Sequence, residues 1–566
     1  MSESAVETRL LDAAAQELAA RREAWRRVDV DERIALIDEL SRGFARIAAR
    51  WAESVLELEG LDPERPEAGE EWLVGPYLVL RYLHCLRRAL VGVRDTGRPR
   101  IPGPITTRPD GQVVARVFPE TIWDRLFYPG VAAEVWMHPH VTLDDLPRTQ
   151  ARCYHDLESP GRTCLVLGGG NVSSIGPLDA LTKLFLDDRV VLFKLHPVNS
   201  FLAPLFEEAM APLIDRGFLR IVVGGVAEGA HLCRHPLVDE IHVTGAEETY
   251  LAIVFGTGED GARRRAEGRP LIEKPVTGEL GNVSPVLVVP GAWSRRDLAY
   301  QATNIVSMLV NNAGFNCNAA RVIVQHAGWS GRSALLDAIR HRLAATPTRR
   351  AYYPGAFERH RTFVEAHPEA ERFGDPASDE LPWTLIPGVP SDARDEICFE
   401  VEAFCGLVAE TTLEAPDVES YLQRAVAFCN DTLYGSLNVT LVVDRETARH
   451  PRLGRAVERA VADLRYGTVC VNHWAALGFA LGITPWGAYP GNEPHAPGSG
   501  IGVVHNALMF EEVEKAVIRT RFRAFPYPPW FVDHRSAHRL CAELTEFEAR
   551  PSWARLPRVT WHALRA

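Results

Sequence analysis

Three stretches of the chain carry residues whose types and spacing could do chemistry together: GGGNVSSIGPLDALTKL at 168–184, PVTGELGNVSP at 275–285 and NNAGFNCNAARVIV at 311–324. In the third, Cys317 follows a turn at Ala313-Gly314 and precedes a strand-like run. Backbone N–H groups at such a junction favour a thiolate and hence a nucleophile. Taken alone, a cysteine there is more often a small buried hydrophobe. Glu279 offers a carboxylate that could move a proton, or could simply cap a turn or pair with Lys274. Asn171, after three glycines, could present an amide to a developing oxyanion or be a plain turn asparagine. Lys194 ends the run VVLFK, where a solvated charge is the ordinary reading. Glu402 could equally be a surface member of the acidic stretch EICFEVE. The glycines of GSGIG (498–502) read as a loop rather than a phosphate cradle, because no strand directly precedes them.

The elements that must hold these residues follow from the apolar pattern. Ile37, Leu40, Phe44, Ile47, Trp51 and Val55 step by three or four, which predicts a one-faced helix over 31–58. Residues 5–26, rich in Ala and charge, predict another. Prolines and an Asp110-Gly111 turn between β-like runs make 98–140 a hairpin or extended arm outside the core. From 161 to about 255 short apolar strands alternate with helices: CLVLGGG, PLDALTKLFL, VVLFK, FLAPLFEEAMAPLI, RIVVGG, a short helix and EIHVTG. Such strands, apolar on both faces, belong in a parallel sheet covered by helices, so a Rossmann-like doubly wound fold is expected. A second α/β series begins near 285 with PVLVV, a helix over 297–312 and RVIVQ. GLVAET, LNVTLVV and TVCVN supply further strands. From FPYPPWF onward the chain reads as a tail packed over the body.

Composition narrows the function class. The 566 residues exceed a single ordinary core, and 46% hydrophobic with 24% charged is the balance of a globular chain. The formal charge is 62 − 74 = −12, which argues against nucleic acid and anionic membranes as main partners. No run reaches eighteen apolar residues, and the N-terminus lacks a signal-peptide hydrophobic region, so a cytoplasmic location is expected. The ten cysteines form no C-x-x-C pair, so neither a disulfide framework nor a metal site is expected.

The three segments, in this order, resemble the aldehyde dehydrogenase superfamily, and the likeness runs from about 161 to 520. NNAGFNCNAARVIV is similar to its N-x-G-Q-x-C-x-A segment, which implies Cys317 as nucleophile. TGELGNVSP is similar to E-L-G-G-K-x-P, which implies Glu279 as general base. GGGN is similar to P-W-N, which implies Asn171 as the oxyanion-stabilising amide. VVLFK resembles V-V-x-K-P and makes Lys194 a cofactor-ribose ligand. HVTGAEET resembles F-T-G-S and sets Thr244 and Gly245 beside the pyrophosphate, with Gly229 also toward the cofactor. EVEAFCGLV resembles E-E-x-F-G-P-V and sets Glu402 and Phe404 at the nicotinamide ribose and ring. The resemblance implies NAD(P)-dependent oxidation of an aldehyde through a cysteine thioester that a glutamate-activated water hydrolyses. It divides the chain into a cofactor domain (1–100 and 161–277), a β-rich oligomerisation arm (101–160), an α/β catalytic domain (278–482) and a C-terminal segment with tail (483–566). A homodimer or homotetramer is implied.

Several positions depart from the family pattern. Gly170 replaces the tryptophan of P-W-N, Ala246 the serine of F-T-G-S, Asn282-Val283 the Gly-Lys after E-L-G, and Phe315 the glutamine before the nucleophile. After Lys194, LHPVN has no glutamate to hold the adenosine ribose, so NADP is expected to be tolerated or preferred. His196-Pro197 is similar to the S-P-H-P segment of CoA-acylating relatives, which makes an acylating activity the second reading. A catalytically idle binding or assembly protein is the third. The apolar loop NHWAALGFALGITPWGAYPG (472–491) could wall a tunnel for a hydrophobic aldehyde or pack a domain seam.

Overall fold

The computed structural model describes residues 3–156 and 158–565. Two large sheets organise the chain. The first has six strands in the order Gly500–Ile501, Val276–Glu279, Glu240–Thr244, Arg162–Leu167, Arg189–Lys194, Leu219–Val222. All its neighbours pair in parallel except the short Gly500–Ile501 edge. The chain winds outward from Arg162–Leu167 through two strands, then returns to the other side of that same strand. This reversal opens a crevice beyond the carboxyl ends of Arg162–Leu167 and Glu240–Thr244, where open α/β sheets bind ligands. The strand–helix alternation expected from 161 to 255 is present in full, and Leu165, Val166 and Val190 to Phe193 are completely buried.

The second sheet has eleven strands, running from Ile105–Thr107 at one edge to Glu371–Phe373 at the other. Its middle, Val513–Arg519, Thr468–Val471, Asn438–Val442, Pro285–Val288, Val322–His326, Leu407–Leu413 and Trp383–Pro390, is parallel throughout. Helix Arg295–Val310 covers it. Ser294 opens that helix with a capping box shared with Asp297, and the helix delivers the chain directly to the 311–317 loop.

Helix Val30–Glu59 buries all six of the residues that predicted it. Asp29 caps its first turn and Gly60, at φ 67°, ends it. It lies against helices Leu78–Thr96 and Ala203–Ile214. At Gly43 a side chain would meet the Ala209 carbonyl at 2.3 Å, so the close approach of the two helices depends on that glycine.

Two expectations are corrected. In the 98–140 region Ile105–Thr107 and Val113–Phe118 pair antiparallel across the Asp110-Gly111 turn, as the expected hairpin, but the region is not all outside the core: strands Val113–Phe118 and Ala132–Met137 bury Ala115, Val117, Phe118, Ala133, Val135 and Met137. They extend the chain's own large sheet through Val513–Arg519. The prolines at its edges signalled irregular chain, while the strands between them are covered on both faces. The C-terminal stretch is likewise more than a cover, because helix Ala537–Ala549 places Leu540, Leu544 and Phe547 in the main core. Among the described residues no helix is long and apolar enough to cross a membrane.

Candidate active site

The loop before Cys317 takes an expensive conformation. Asn312, Ala313 and Gly314 all have positive φ, at 52°, 50° and 83°. Such strain persists only where the surroundings over-determine it. Here the Asn312 N–H donates to Glu70 at 2.9 Å, its amide to the Asn171 carbonyl at 2.7 Å, and its side-chain oxygen accepts from Tyr352 at 2.7 Å. Gly314 packs so closely on Cys405 that a Cβ would fall 2.5 Å from its backbone carbon. Arg321, wholly buried, donates to the carbonyls of Cys405 (2.5 Å), Gly314 (2.6 Å) and Asn316 (3.2 Å) and so ties both loops together. Past the cysteine, Ser284 donates to the Cys317 carbonyl at 3.1 Å and Trp474 to that of Asn318 at 2.7 Å.

Held this way, the Cys317 thiol donates to Glu279 Oε1 at 3.5 Å. Of ten free cysteines, eight are buried; Cys317 and Cys153 are half-buried, and the Cys153 thiol is spent on the Leu186 carbonyl at 2.9 Å. The expectation of a ready thiolate is corrected. Burial, followed by the charges of Glu279 and Glu402, pushes the Cys317 thiol well above its ordinary value, and its own N–H only partly offsets them.

Glu279 ends strand Val276–Glu279 and is 3% exposed. Burial, then the charge of Asp179, raises its carboxyl from 4.5 to about 8, against opposition from Trp486 and Cys317. It does not pair with Lys274, whose ammonium donates to the carbonyls of Cys233 and His235. Asn171 joins the pair: its amide donates to the Phe315 carbonyl at 2.8 Å, and an amide has a second N–H to give. Asn171, Glu279 and Cys317 line one small apolar cavity together with Trp474, Leu477 and Phe479, from the loop expected to wall a tunnel.

The same three side chains also border a larger cleft of ≈ 360 Å³ that holds Thr244, Gly245, Glu402 and Phe404. Thr244 donates to Asp179 at 2.8 Å. Nothing lies within 4 Å of where a Gly245 side chain would stand, which leaves that backbone open. Glu402 lies against Gly281, where a Cβ would be 2.2 Å from its Oε2, while its buried Oε1 has no hydrogen-bond partner. Burial pushes Glu402 up to about 7, against Arg321, the Asn282 N–H and Arg359. Phe404 sits at φ 42°, with its ring 5.1 Å from that of Tyr353.

Lys194 and Gly229 meet each other but stand away from this cleft. The ammonium donates to the Gly224 carbonyl at 2.6 Å, and a Gly229 Cβ would lie 3.6 Å from the Lys194 chain. Glu228 also acts on Lys194, opposing the lowering caused by burial, and accepts from the Gly225 N–H at 2.6 Å. Helix Val226–Arg234 thus brings a carboxylate to Lys194 that LHPVN itself lacks. Gly170 has a local cause: a Cβ there would fall 2.2 Å from the His196 ring, which fills the space.

Sequence reasoning missed Asp179, Arg321, Asn312, Tyr352 and Arg359. The first three lie inside the singled-out segments, but only the fold shows what they touch. Cys398, one of the ten cysteines from which no metal site was expected, lies with His367 and Glu396 so that their donor atoms are within 4.8 Å of one another. Both His367 nitrogens are already engaged, by Glu369 and Glu396 at 2.8 Å each.

Residues 191–348 match the model of the aldehyde dehydrogenase family. A mitochondrial benzaldehyde dehydrogenase of Antirrhinum majus is 27% identical over 306 residues, 52% of this chain and 51% of that protein. The chain thus matches about half the length of this curated relative. Among solved structures, indole-3-acetaldehyde dehydrogenase complexed with NAD+ aligns with a TM-score of 0.60 at 16% identity, over 90% of this chain and 89% of that one. Glyceraldehyde-3-phosphate dehydrogenase GapN from Methanocaldococcus jannaschii, complexed with NADP, aligns with a TM-score of 0.60 at 13% identity, over 91% and 95%.

Proposed function

We propose that this chain, a divergent relative of the aldehyde dehydrogenases, oxidises an aldehyde to a carboxylic acid with NAD or NADP. The observation that carries the reading is the convergence of Cys317, Glu279 and Asn171 where an apolar cavity meets a polar cleft. One opening admits an aldehyde and the other a cofactor, so both reach the thiol from opposite sides. The cleft suits a dinucleotide: it lies at the switch point of the parallel sheet, exposes the Gly245 backbone, and keeps the unpartnered Glu402 Oε1 for a ribose hydroxyl. Thr244 and Gly245 would face the phosphates, Glu402 and Phe404 the nicotinamide end, and Lys194 with Gly229 the adenosine side. A nicotinamide bound there supplies the two-electron acceptor that the oxidation needs.

The chain's own residues do the rest. Glu279 takes the thiol proton across the 3.5 Å contact as Cys317 attacks the carbonyl carbon. The resulting oxyanion is met by the second Asn171 N–H and the Cys317 backbone N–H, donors that the surrounding hydrogen bonds fix beforehand. After the thioester forms, Glu279, having passed the first proton to solvent, draws a proton from water as the hydroxide equivalent attacks the acyl carbon; the C–S bond breaks, the acid leaves, and Glu279 returns the proton to the Cys317 sulfur. A carboxyl near 8 suits both tasks, since it is a stronger base than an ordinary glutamate.

The test is NAD(P)H formation with a panel of aldehydes, with and without coenzyme A, beside Cys317→Ala. Turnover that needs no coenzyme A and disappears in the variant is expected. A requirement for coenzyme A would move the assignment to the acylating class. Silence with every aldehyde and both cofactors would leave a binding protein.

A further inference from the structure

The apolar cavity over Cys317 does not end with it. A second chamber of ≈ 280 Å³ shares Leu73, Tyr77, Tyr128, Leu477 and Trp530 with the ≈ 80 Å³ catalytic cavity. Rings therefore stand at the passage between them, and the Tyr77 and Tyr128 hydroxyls bond each other at 2.8 Å, which turns their polarity away from a ligand. The outer chamber is built largely by the C-terminal stretch, with Pro526, Leu540, Leu544, Val559, Ala563 and Leu564 in its wall. Among the described residues no carboxylate lines it. His473, in the wall, is held uncharged near neutral pH because burial lowers it to about 4. Among the described residues Arg521 is the one charged side chain in the wall, and it is exposed. Leu126 and Leu564 line the chamber yet remain 45% and 60% exposed, so the mouth itself is apolar.

We propose that this chamber holds the unbranched apolar tail of a long-chain aldehyde whose carbonyl lies at Cys317. The occupant follows from continuity and chemistry: the inner cavity takes only a few carbons, and the remainder must pass between rings into a chamber whose wall is mostly apolar, with the His473 and Trp530 ring nitrogens as its buried polar atoms. The inference rests on the proposed oxidation for its catalytic half and on the chamber alone for its binding half. Helices Ala537–Ala549 and Leu556–Ala563 thereby become part of substrate recognition.

The experiment measures kcat/KM for straight-chain aldehydes from propanal to decanal, for the parent, Ala563→Trp and Leu126→Glu. Ala563→Trp fills the chamber; Leu126→Glu places a charge at its mouth on an exposed position that does not threaten the fold. Burial of each methylene predicts about a fourfold rise per carbon until the chamber is full. Both variants are expected to lower decanal turnover at least tenfold while propanal stays within about twofold, following the same per-carbon increment. A flat series, or equal losses for both aldehydes, overturns the chamber while leaving the oxidation standing. Should no aldehyde be turned over, calorimetric binding of decan-1-ol decides separately. Binding to the parent that Ala563→Trp removes supports the chamber, and no binding to the parent refutes it.

Discussion

Glu279→Gln separates the two consequences of burying a carboxylate beside a thiol. In the folded chain burial and Asp179 raise this carboxyl from 4.5 to about 8. Between those values the folded protein keeps a proton that the unfolded chain has released, so stability falls as pH rises. The contribution is complete below pH 4.5 and is lost as pH climbs through about 8. Carrying a carboxyl over that interval is worth about 5 kcal/mol at most. Glutamine keeps the shape and does not ionise. The variant is therefore expected to match the parent near pH 5 and to melt a few degrees higher at pH 9. Kinetics should move the opposite way. The parent's hydrolytic rate should rise about fivefold from pH 7 to 8, as the ionised fraction of a group near 8 grows from about a tenth to a half. The variant should lose about 10²–10⁴-fold in steady-state turnover and show no such rise. Paired thermal melts and pH–rate profiles read both effects. A parent–variant stability difference that does not change with pH would refute the reasoning.

Other consequences can be read with single substitutions. Asn171→Ala removes the proposed oxyanion donor and is expected to cut kcat about 10²–10³-fold with little change in KM, measured by initial rates. Asp179→Asn keeps a side-chain partner for Thr244 but removes the charge that raises Glu279, so the pH–rate profile should shift to lower pH; an unmoved profile would count against that coupling. Glu228→Gln removes the carboxylate beside Lys194 and should raise the NADP-over-NAD ratio of kcat/KM by about tenfold, through relief of its repulsion for a 2′-phosphate. Arg321→Met leaves three buried carbonyls without their donor and should destabilise the chain by about 2–4 kcal/mol, visible in denaturant titration.

What the sequence made legible was local. The 3.6-residue period over 31–58 and the two-faced apolar strands from 161 to 255 depend on burial that neighbours in sequence already announce. The three residues proposed as catalytic could be singled out because each sits in a distinctive short segment, and the fold brings them to one cavity. What stayed hidden depends on contacts between distant segments. Glu228 reaches Lys194 only through the crossover of the sheet, and Trp530 reaches the catalytic cavity from more than 200 residues beyond Cys317. The state of the Cys317 thiol was misjudged because its turn suggested exposed N–H groups, whereas two carboxylates and burial dominate. In the 98–140 stretch the hairpin was legible from its turn, but the burial of its strands was not, because proline content reports the connections and not the strands between them.

The most direct test of the account is intact-protein and peptide mass spectrometry of Glu279→Gln mixed with an aldehyde and NAD or NADP. With the thiol present and its hydrolytic base removed, an acyl group equal in mass to the oxidised substrate should accumulate on the peptide holding Cys317, together with one equivalent of NAD(P)H. The same mixture with Cys317→Ala should show neither. Cys317 left unmodified both in the variant and in the parent quenched with acid during turnover of the same aldehyde would contradict a thioester at this residue.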